Sequence, residues 1–122
     1  MPIKRAEWPT RSHRYQTGCG WIYIHILRDP DDDNRIRSIF TNLGKAGGCA
    51  QAQTEAVSRL ITRALDLGDD AGEIASSLRG MRCHRPADVV NDPVTSCADA
   101  IGRALQADIE MEEHADGSQP DS

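Results

Sequence analysis

The chain has 122 residues, only five of them aromatic, and its 19 acidic residues against 14 basic ones give a formal charge of −5. That length makes one domain, with roughly 90 to 95 residues able to pack. The balance excludes a nucleic-acid groove or base-stacking platform, which needs a basic patch interleaved with aromatics, and no apolar run is long enough to span a membrane.

The acidity is unevenly placed. Residues 108–122 carry six acidic residues and no Lys or Arg, whereas all 14 basic residues precede them against 13 acidic ones. The folded part is therefore expected to be close to neutral, and residues 108–122 to form an acidic, disordered tail that aids solubility or docks on a basic partner. Residues 1–11, with Pro2, Pro9 and mixed charge, read as an N-terminal arm. No apolar run follows the charges of Lys4 and Arg5, so the start does not read as a signal peptide. A cytoplasmic location is expected, where thiols stay reduced.

In chain order, a short strand is expected over 12–17, running into Gly18-Cys19-Gly20. A clearer strand covers 21–27, where Ile22, Ile24 and Ile26 share one face and Trp21, Tyr23, His25 and Leu27 the other. Residues 29–34, with three consecutive aspartates, read as a polar hairpin loop. A calcium loop would need a central Gly and a terminal Glu, and this stretch has neither. A returning strand follows over 35–42. A long helix opens at Cys49, with Ala52, Ala56, Val57, Leu60, Ile61, Ala64 and Leu65 on one face and Gly68 as its stop. A second helix is expected over 70–79, with Ala71, Ile74, Ala75 and Leu78 inward and Gly80 ending it. Residues 81–93 read as a loop. Ser96 then caps a third helix, with Asp99 three residues on as in a capping box and Ala98, Ile101 and Leu105 as its apolar stripe. From Glu110 onward the chain is too polar to bury area and is expected to fray. Strands first and helices after predict an α+β domain over 12–107, a three-stranded antiparallel meander with three helices on one face.

The four cysteines, Cys19, Cys49, Cys83 and Cys97, fall at element ends and in no apolar stripe. A thiol that only fills a core sits on an apolar face. Reduced thiols gathered at element ends favour a metal site over disulfides. Cys49 and Cys97 stand at helix starts, where unpaired N–H groups and the helix dipole favour the thiolate that binds metal. The glycines beside Cys19 and Cys49 let backbone approach a metal closely. Four sulfur ligands suit tetrahedral Zn2+, although the spacing lacks Cys-x-x-Cys knuckles. His84 could replace a thiol, but the cysteines already make a quartet. The segment Gly44-Lys45-Ala46-Gly47-Gly48 lacks the Gly-Lys-Ser/Thr order of a phosphate loop, leaving an anion site at that helix start as an alternative. No Ser/His/Asp spacing supports nucleophilic catalysis, so no catalytic residue is assigned.

These segments resemble the TSCPD domain: Thr17-Gly18-Cys19-Gly20, the block 42–56 from Asn-Leu-Gly-Lys-Ala-Gly-Gly-Cys onward, Gly80-Met81-Arg82-Cys83, and Thr95-Ser96-Cys97-Ala98-Asp99-Ala100-Ile101. Ala98 stands where the family has Pro, a replaceable residue in a first helical turn. The family occurs as a terminal domain of adenosylcobalamin-dependent ribonucleotide reductases and as small separate proteins. The resemblance implies an accessory role near deoxynucleotide synthesis, with the four cysteines as metal ligands and a ribonucleotide reductase or another protein as partner. It does not imply reductase activity, since 122 residues hold no reductase barrel. A weaker resemblance is to NifU/IscU-type iron–sulfur scaffolds, whose three cysteines would correspond to Cys19, Cys49 and Cys97. Trp21 stands near the place of the scaffold's labilising Asp, and Cys83 adds a fourth thiol; both favour a closed site. The expected function is thus a zinc-binding accessory or interaction domain. The alternatives are an iron–sulfur cluster carrier, a thiol redox relay to a reductase, and a nucleotide- or anion-binding module.

Overall fold

A computed structural model describes residues 7–18, 20–43, 48–82, 94 and 96–115, with residues 48, 49 and 113–115 as backbone alone. The strands β1 (Thr10–Thr17), β2 (Gly20–Asp29) and β3 (Arg35–Leu43) form one antiparallel sheet in the order β1-β2-β3. The period-two pattern of β2 does what it predicts. Ile22, Ile24 and Ile26 are almost completely buried on one face, while Trp21 and Tyr23 face the other way opposite Gln16 and Arg14. On that second face the His25 and Phe40 rings lie 4.7 Å apart and the Arg14 guanidinium sits 4.5 Å from the Trp21 ring.

The β2–β3 hairpin closes as its polar composition requires. Asp29 accepts hydrogen bonds on its carbonyl from the N–H groups of Asp32 and Asn34. Asp33 and Asn34 both take φ of 59°, a left-handed conformation that Asp and Asn tolerate better than other side chains. The aspartates of this loop pair with cations: Arg37 meets Asp29 at 3.2 Å and Asp32 at 3.1 Å.

Three helices follow, α1 (Gly48–Asp66), α2 (Ala71–Leu78) and α3 (Cys97–Ala115), completing the α+β order. The punctuation lies where the sequence put it. Gly68 takes a positive φ of 100° just past α1, and its N–H reaches the Leu65 carbonyl at 3.0 Å. The Asp70 carboxylate accepts from the Glu73 N–H at 3.0 Å as the N-cap of α2. The Ser96 hydroxyl accepts from the Asp99 N–H at 2.9 Å at the head of α3. All three helices contribute to one apolar cluster on the Ile22–Ile24–Ile26 side of the sheet, including Ile61, Leu65, Ala75, Ile101 and Leu105. Glycine matters at one close approach. A Cβ on Gly102 would stand 3.0 Å from the Ala75 carbonyl oxygen and 3.2 Å from the Arg79 nitrogen, so α2 and α3 meet backbone to backbone there.

Two sequence expectations are corrected. In α1, Val57, Ile61, Ala64 and Leu65 do turn inward, but Ala52, Ala56 and Leu60 do not, and Leu60 is 68% exposed. The inward positions beside Ile61 and Leu65 belong to Thr54 and Ser58, whose hydroxyls are satisfied locally. Ser58 donates to the Thr54 carbonyl at 2.8 Å and pairs with the Thr41 hydroxyl of β3 at 2.9 Å. Thr62 goes further along the same side. Its hydroxyl accepts from the Ile39 N–H and donates to the Ile39 carbonyl, while Gln51 accepts from the Leu43 N–H. Helix α1 thus covers the outer edge of β3 with side-chain hydrogen bonds.

The second correction concerns the expected tail. Helix α3 continues to Ala115, and Asp108, read from composition as the first tail residue, is fully buried. It is held by His13 Nε2 at 2.9 Å and Arg28 Nε at 3.1 Å, which lock the middle of α3 to β1 and β2. Glu112 adds a 3.0 Å contact from the Asn34 side-chain amide. Residues 116–122 lie outside the described residues.

Candidate metal centre

The first turn of α3 is the place where the chain's scattered segments meet. Its helix start is fixed by the Ser96 cap, which sets Cys97 in the first turn with its thiol half-buried. The Cys97 Sγ lies 3.8 Å from the Thr17 Oγ1. Thr17 in turn donates its hydroxyl proton to the Gly20 carbonyl at 2.8 Å and pairs with Gly20 in the sheet register. The end of β1 and the start of β2 are therefore pinned beside Cys97.

The start of α1 comes to the same end of the fold. The backbone of Cys49 lies in the first turn of that helix. The next residue, Ala50, lines a largely apolar cavity of about 250 Å³ together with Val57, Cys97 and Ile101. The first turns of α1 and α3 thus open on one shared space. The dipole at a helix start favours a thiolate over a thiol.

A third segment is tied in through Asp99. This carboxylate is 1% exposed, yet it is fully engaged. Its Oδ1 accepts from the Gly80 N–H at 2.8 Å and from Arg79 Nε at 3.2 Å, and its Oδ2 accepts from Arg103 Nε at 2.8 Å. The chain leaving α2 is thereby fastened to α3 two residues after Cys97. Tyr15 adds to this surround; burial pushes its phenol above the ordinary value, against the pull of Arg103 and Arg79.

The sequence-derived ligand set stands as follows. Cys97 is described in full, Cys49 as backbone, and Cys19, Cys83 and the alternative ligand His84 lie outside the described residues, as does the glycine stretch 44–47. Among the described residues no three His, Cys, Asp or Glu side chains gather as metal ligands. Cys97 combines a helix start, partial burial and a sterically open neighbour in the cavity it lines.

Two residues of this end carry roles that sequence reasoning missed. Thr17 was read as the end of a strand and as part of the Thr17-Gly18-Cys19-Gly20 segment, but its position against Cys97 depends on a contact 80 residues apart. Asp99 was read as the acidic partner of the Ser96 cap. Its side chain meets Arg79 and Gly80, and no signal in the sequence pointed to that.

No helix among the described residues is long and apolar enough to cross a membrane. No curated protein matches the chain, and no solved structure does. The family model of the TSCPD domain matches residues 1–109, which takes in the sheet, α1, α2 and the first two-thirds of α3 with its Ser96-Cys97-Ala98-Asp99 turn; the chain belongs to that family.

Proposed function

We propose that this chain is a small cytoplasmic accessory domain that binds Zn2+ through Cys19, Cys49, Cys83 and Cys97 and serves ribonucleotide reduction in deoxynucleotide synthesis. The observation that supports the metal reading is that described neighbours of the cysteine positions, Thr17, Ala50 and Gly80, are joined to or face the first turn of α3 that carries Cys97. Cys97 touches Thr17, the first turn of α1 shares a cavity with it, and Gly80 is bonded to Asp99. The link to ribonucleotide reduction rests on membership of the TSCPD family. The partner would be a reductase or another protein of the same process, and no catalytic residue is assigned to the chain.

In this reading the protein residues have distinct tasks. The Ser96 cap holds Cys97 at a helix start, where the backbone N–H groups stabilise its thiolate. Thr17 and Gly20 join the end of β1 to the start of β2 beside Cys97, and Asp99 holds the exit of α2. When bound, a four-thiolate zinc supplies a cross-link among segments that a core this small joins only weakly.

The test is elemental analysis of the purified protein and of four variants, each changing one cysteine to Ser. One zinc per chain is expected in the wild type, with loss of metal and a lower melting temperature in every variant. A variant that keeps both removes that cysteine from the ligand set. An absorption band at about 400 nm with bound iron would replace zinc by an iron–sulfur cluster. Rapid alkylation of a low-pKa thiol in the metal-loaded protein would favour the redox relay.

A further inference from the structure

We propose that the helix-free face of the sheet is a docking surface for a short acidic segment of a partner protein, held by Arg14 through a carboxylate and by Trp21 and Phe40 through an apolar side chain. This surface stands apart from the metal reading above and needs no metal.

The pleat that buries Ile22, Ile24 and Ile26 sends their neighbours on β2 the other way. The helices pack on the isoleucine side, so among the described residues no helix covers the second face. Trp21, Tyr23 and His25 stand in a row there. The strand register sets Arg14 beside Tyr23 and Phe40 beside His25. Three of the chain's five aromatic residues are thus gathered on one surface, with Trp21 41% and Phe40 49% exposed. The surface is preformed. Ser12 Oγ lies 2.7 Å from His25 Nδ1, and the His25 and Phe40 rings are in contact, which ties the three strands together side chain to side chain. A contiguous exposed apolar patch marks an interaction site. Trp, Tyr, Phe and Arg are the residues that interface centres favour, while Asp, Glu and Lys are scarce there.

Charge selects the occupant. The stretches 12–16, 21–25 and 40–42 that form the face hold no Asp, Glu or Lys, in a chain with 19 acidic residues. Burial pushes the His25 ring below its ordinary value, so it is neutral at pH 7. Arg14 therefore carries the formal charge of the face. Other arginines are taken: Arg11, Arg28, Arg37 and Arg103 each pair with a carboxylate. Arg14 is exposed and rests on the Trp21 ring, and among the described residues no carboxylate stands within ion-pair distance of it. A guanidinium placed over a ring keeps its N–H fork for a partner's carboxylate. Size argues the same way. Three strands about 4.8 Å apart, each contributing about five residues at ~3.3 Å, give a face of roughly 250 Å². A stable dimer needs about 800 Å² on each side. A second copy would also set the face against itself, with no carboxylate for Arg14. A strand of phosphates is held by several cations, and this face has one. An extended acidic segment matches both its length and its charge.

The experiment is an NMR titration of the full chain with the peptide Gly-Glu-Leu-Asp-Phe-Glu-Gly and with a counterpart carrying Lys at each acidic position. The acidic peptide, at up to about 1 mM, the weak end of transient recognition, should shift the amides of residues 12–16, 21–25 and 40–42. The Lys counterpart should shift none. Arg14→Gln and Trp21→Ala should each weaken binding at least about tenfold, and Leu60→Ala, at an exposed position of α1, should leave it unchanged. If Trp21→Ala loses the fold, Phe40→Ser takes its place. No shift on this face, equal binding of the two peptides, or undiminished binding by Arg14→Gln overturns the proposal. Tighter binding of a short oligothymidylate at the same residues also overturns it and assigns the face to nucleic acid. A dimer in sedimentation that Trp21→Ala dissolves overturns it in favour of a second copy.

Discussion

His13 Nε2 stands 2.9 Å from Asp108 Oδ2, joining the first strand to the middle of the last helix across 95 positions of sequence. Both side chains are shielded, Asp108 completely. Burial alone would raise the Asp108 carboxyl, but the hydrogen bonds from His13 and Arg28 and the charges of Arg28 and Arg11 outweigh it and hold the group below its ordinary value of 3.8. Asp108 is therefore ionised and the His13 Nε2–H donates to it.

A folded-state value below the unfolded one means that the native state favours the carboxylate. The resulting stability is present in full above the ordinary value of 3.8 and is lost as the pH falls below it, toward the folded value. Asp108→Asn should lower stability at pH 7 by about 3 kcal/mol, since it unbalances a buried charge cluster. Urea unfolding at a series of pH values checks both points. The variant should also lose stability less steeply than the wild type below pH 4; parallel curves would deny Asp108 its role in acid sensitivity.

The corrected face of α1 makes a pair of opposite predictions for neighbouring residues. Ile61→Ala removes a buried side chain from the core and should cost about 2–4 kcal/mol. Leu60→Lys replaces a solvent-facing leucine and should change stability by less than about 0.5 kcal/mol. Thermal melts of the two variants decide the matter. A large loss at Leu60 would mean that the helix is rotated about its axis from the orientation described.

Gly102→Ala tests the backbone contact between α2 and α3. On helix propensity alone, alanine in the interior of α3 should stabilise by up to about 1 kcal/mol. The added methyl would meet the Ala75 carbonyl and the Arg79 nitrogen, neither of which can swing aside as a side-chain tip could. The expected net result is a loss of about 1–3 kcal/mol by denaturant unfolding. A gain in stability would show that the two helices are further apart.

Chelation separates the proposed metal from the rest of the stability. Prolonged treatment with a strong chelator should lower the melting temperature of the wild type by several degrees, and added Zn2+ should restore it. A variant with all four cysteines changed to Ser should melt at the lower temperature and respond to neither. Equal melting of the wild type before and after chelation would leave the cysteines without a structural metal.

How far the fold could be read from the chain depended on whether a signal was local. The alternation of Ile22, Ile24 and Ile26, the Gly68 and Gly80 stops and the Ser96 cap are short-range features, and each sits where the sequence put it. The face of α1 was misread because hydropathy counts Leu60 as a core residue and Ser58 as a surface one. The partner that reverses this, Thr41, lies on another strand. The end of α3 was misread for the same reason at longer range: Asp108 looks like part of an acidic tail until Arg28 and His13 are brought to it. For the candidate site, the cysteines were legible as residue types at element ends. The contacts of Thr17 with Cys97 and of Asp99 with Gly80 were not, because a hydroxyl or carboxylate declares its partner only when the chain is folded.

The hydrogen bonds from Thr62 and Gln51 to β3 make the two rims of the sheet chemically unequal. One rim has the Ile39 N–H and carbonyl and the Leu43 N–H occupied by side chains of a helix. The other, β1, is the terminal strand of the sheet, and among the described residues no strand lies beyond it. Growth of the sheet, whether by a visiting peptide or by another molecule of the same kind during aggregation, is therefore directional and must begin at β1. On one face of that strand Arg11 and His13 are already engaged by Asp108 of α3, so an added strand would meet a rim held from one side by the last helix.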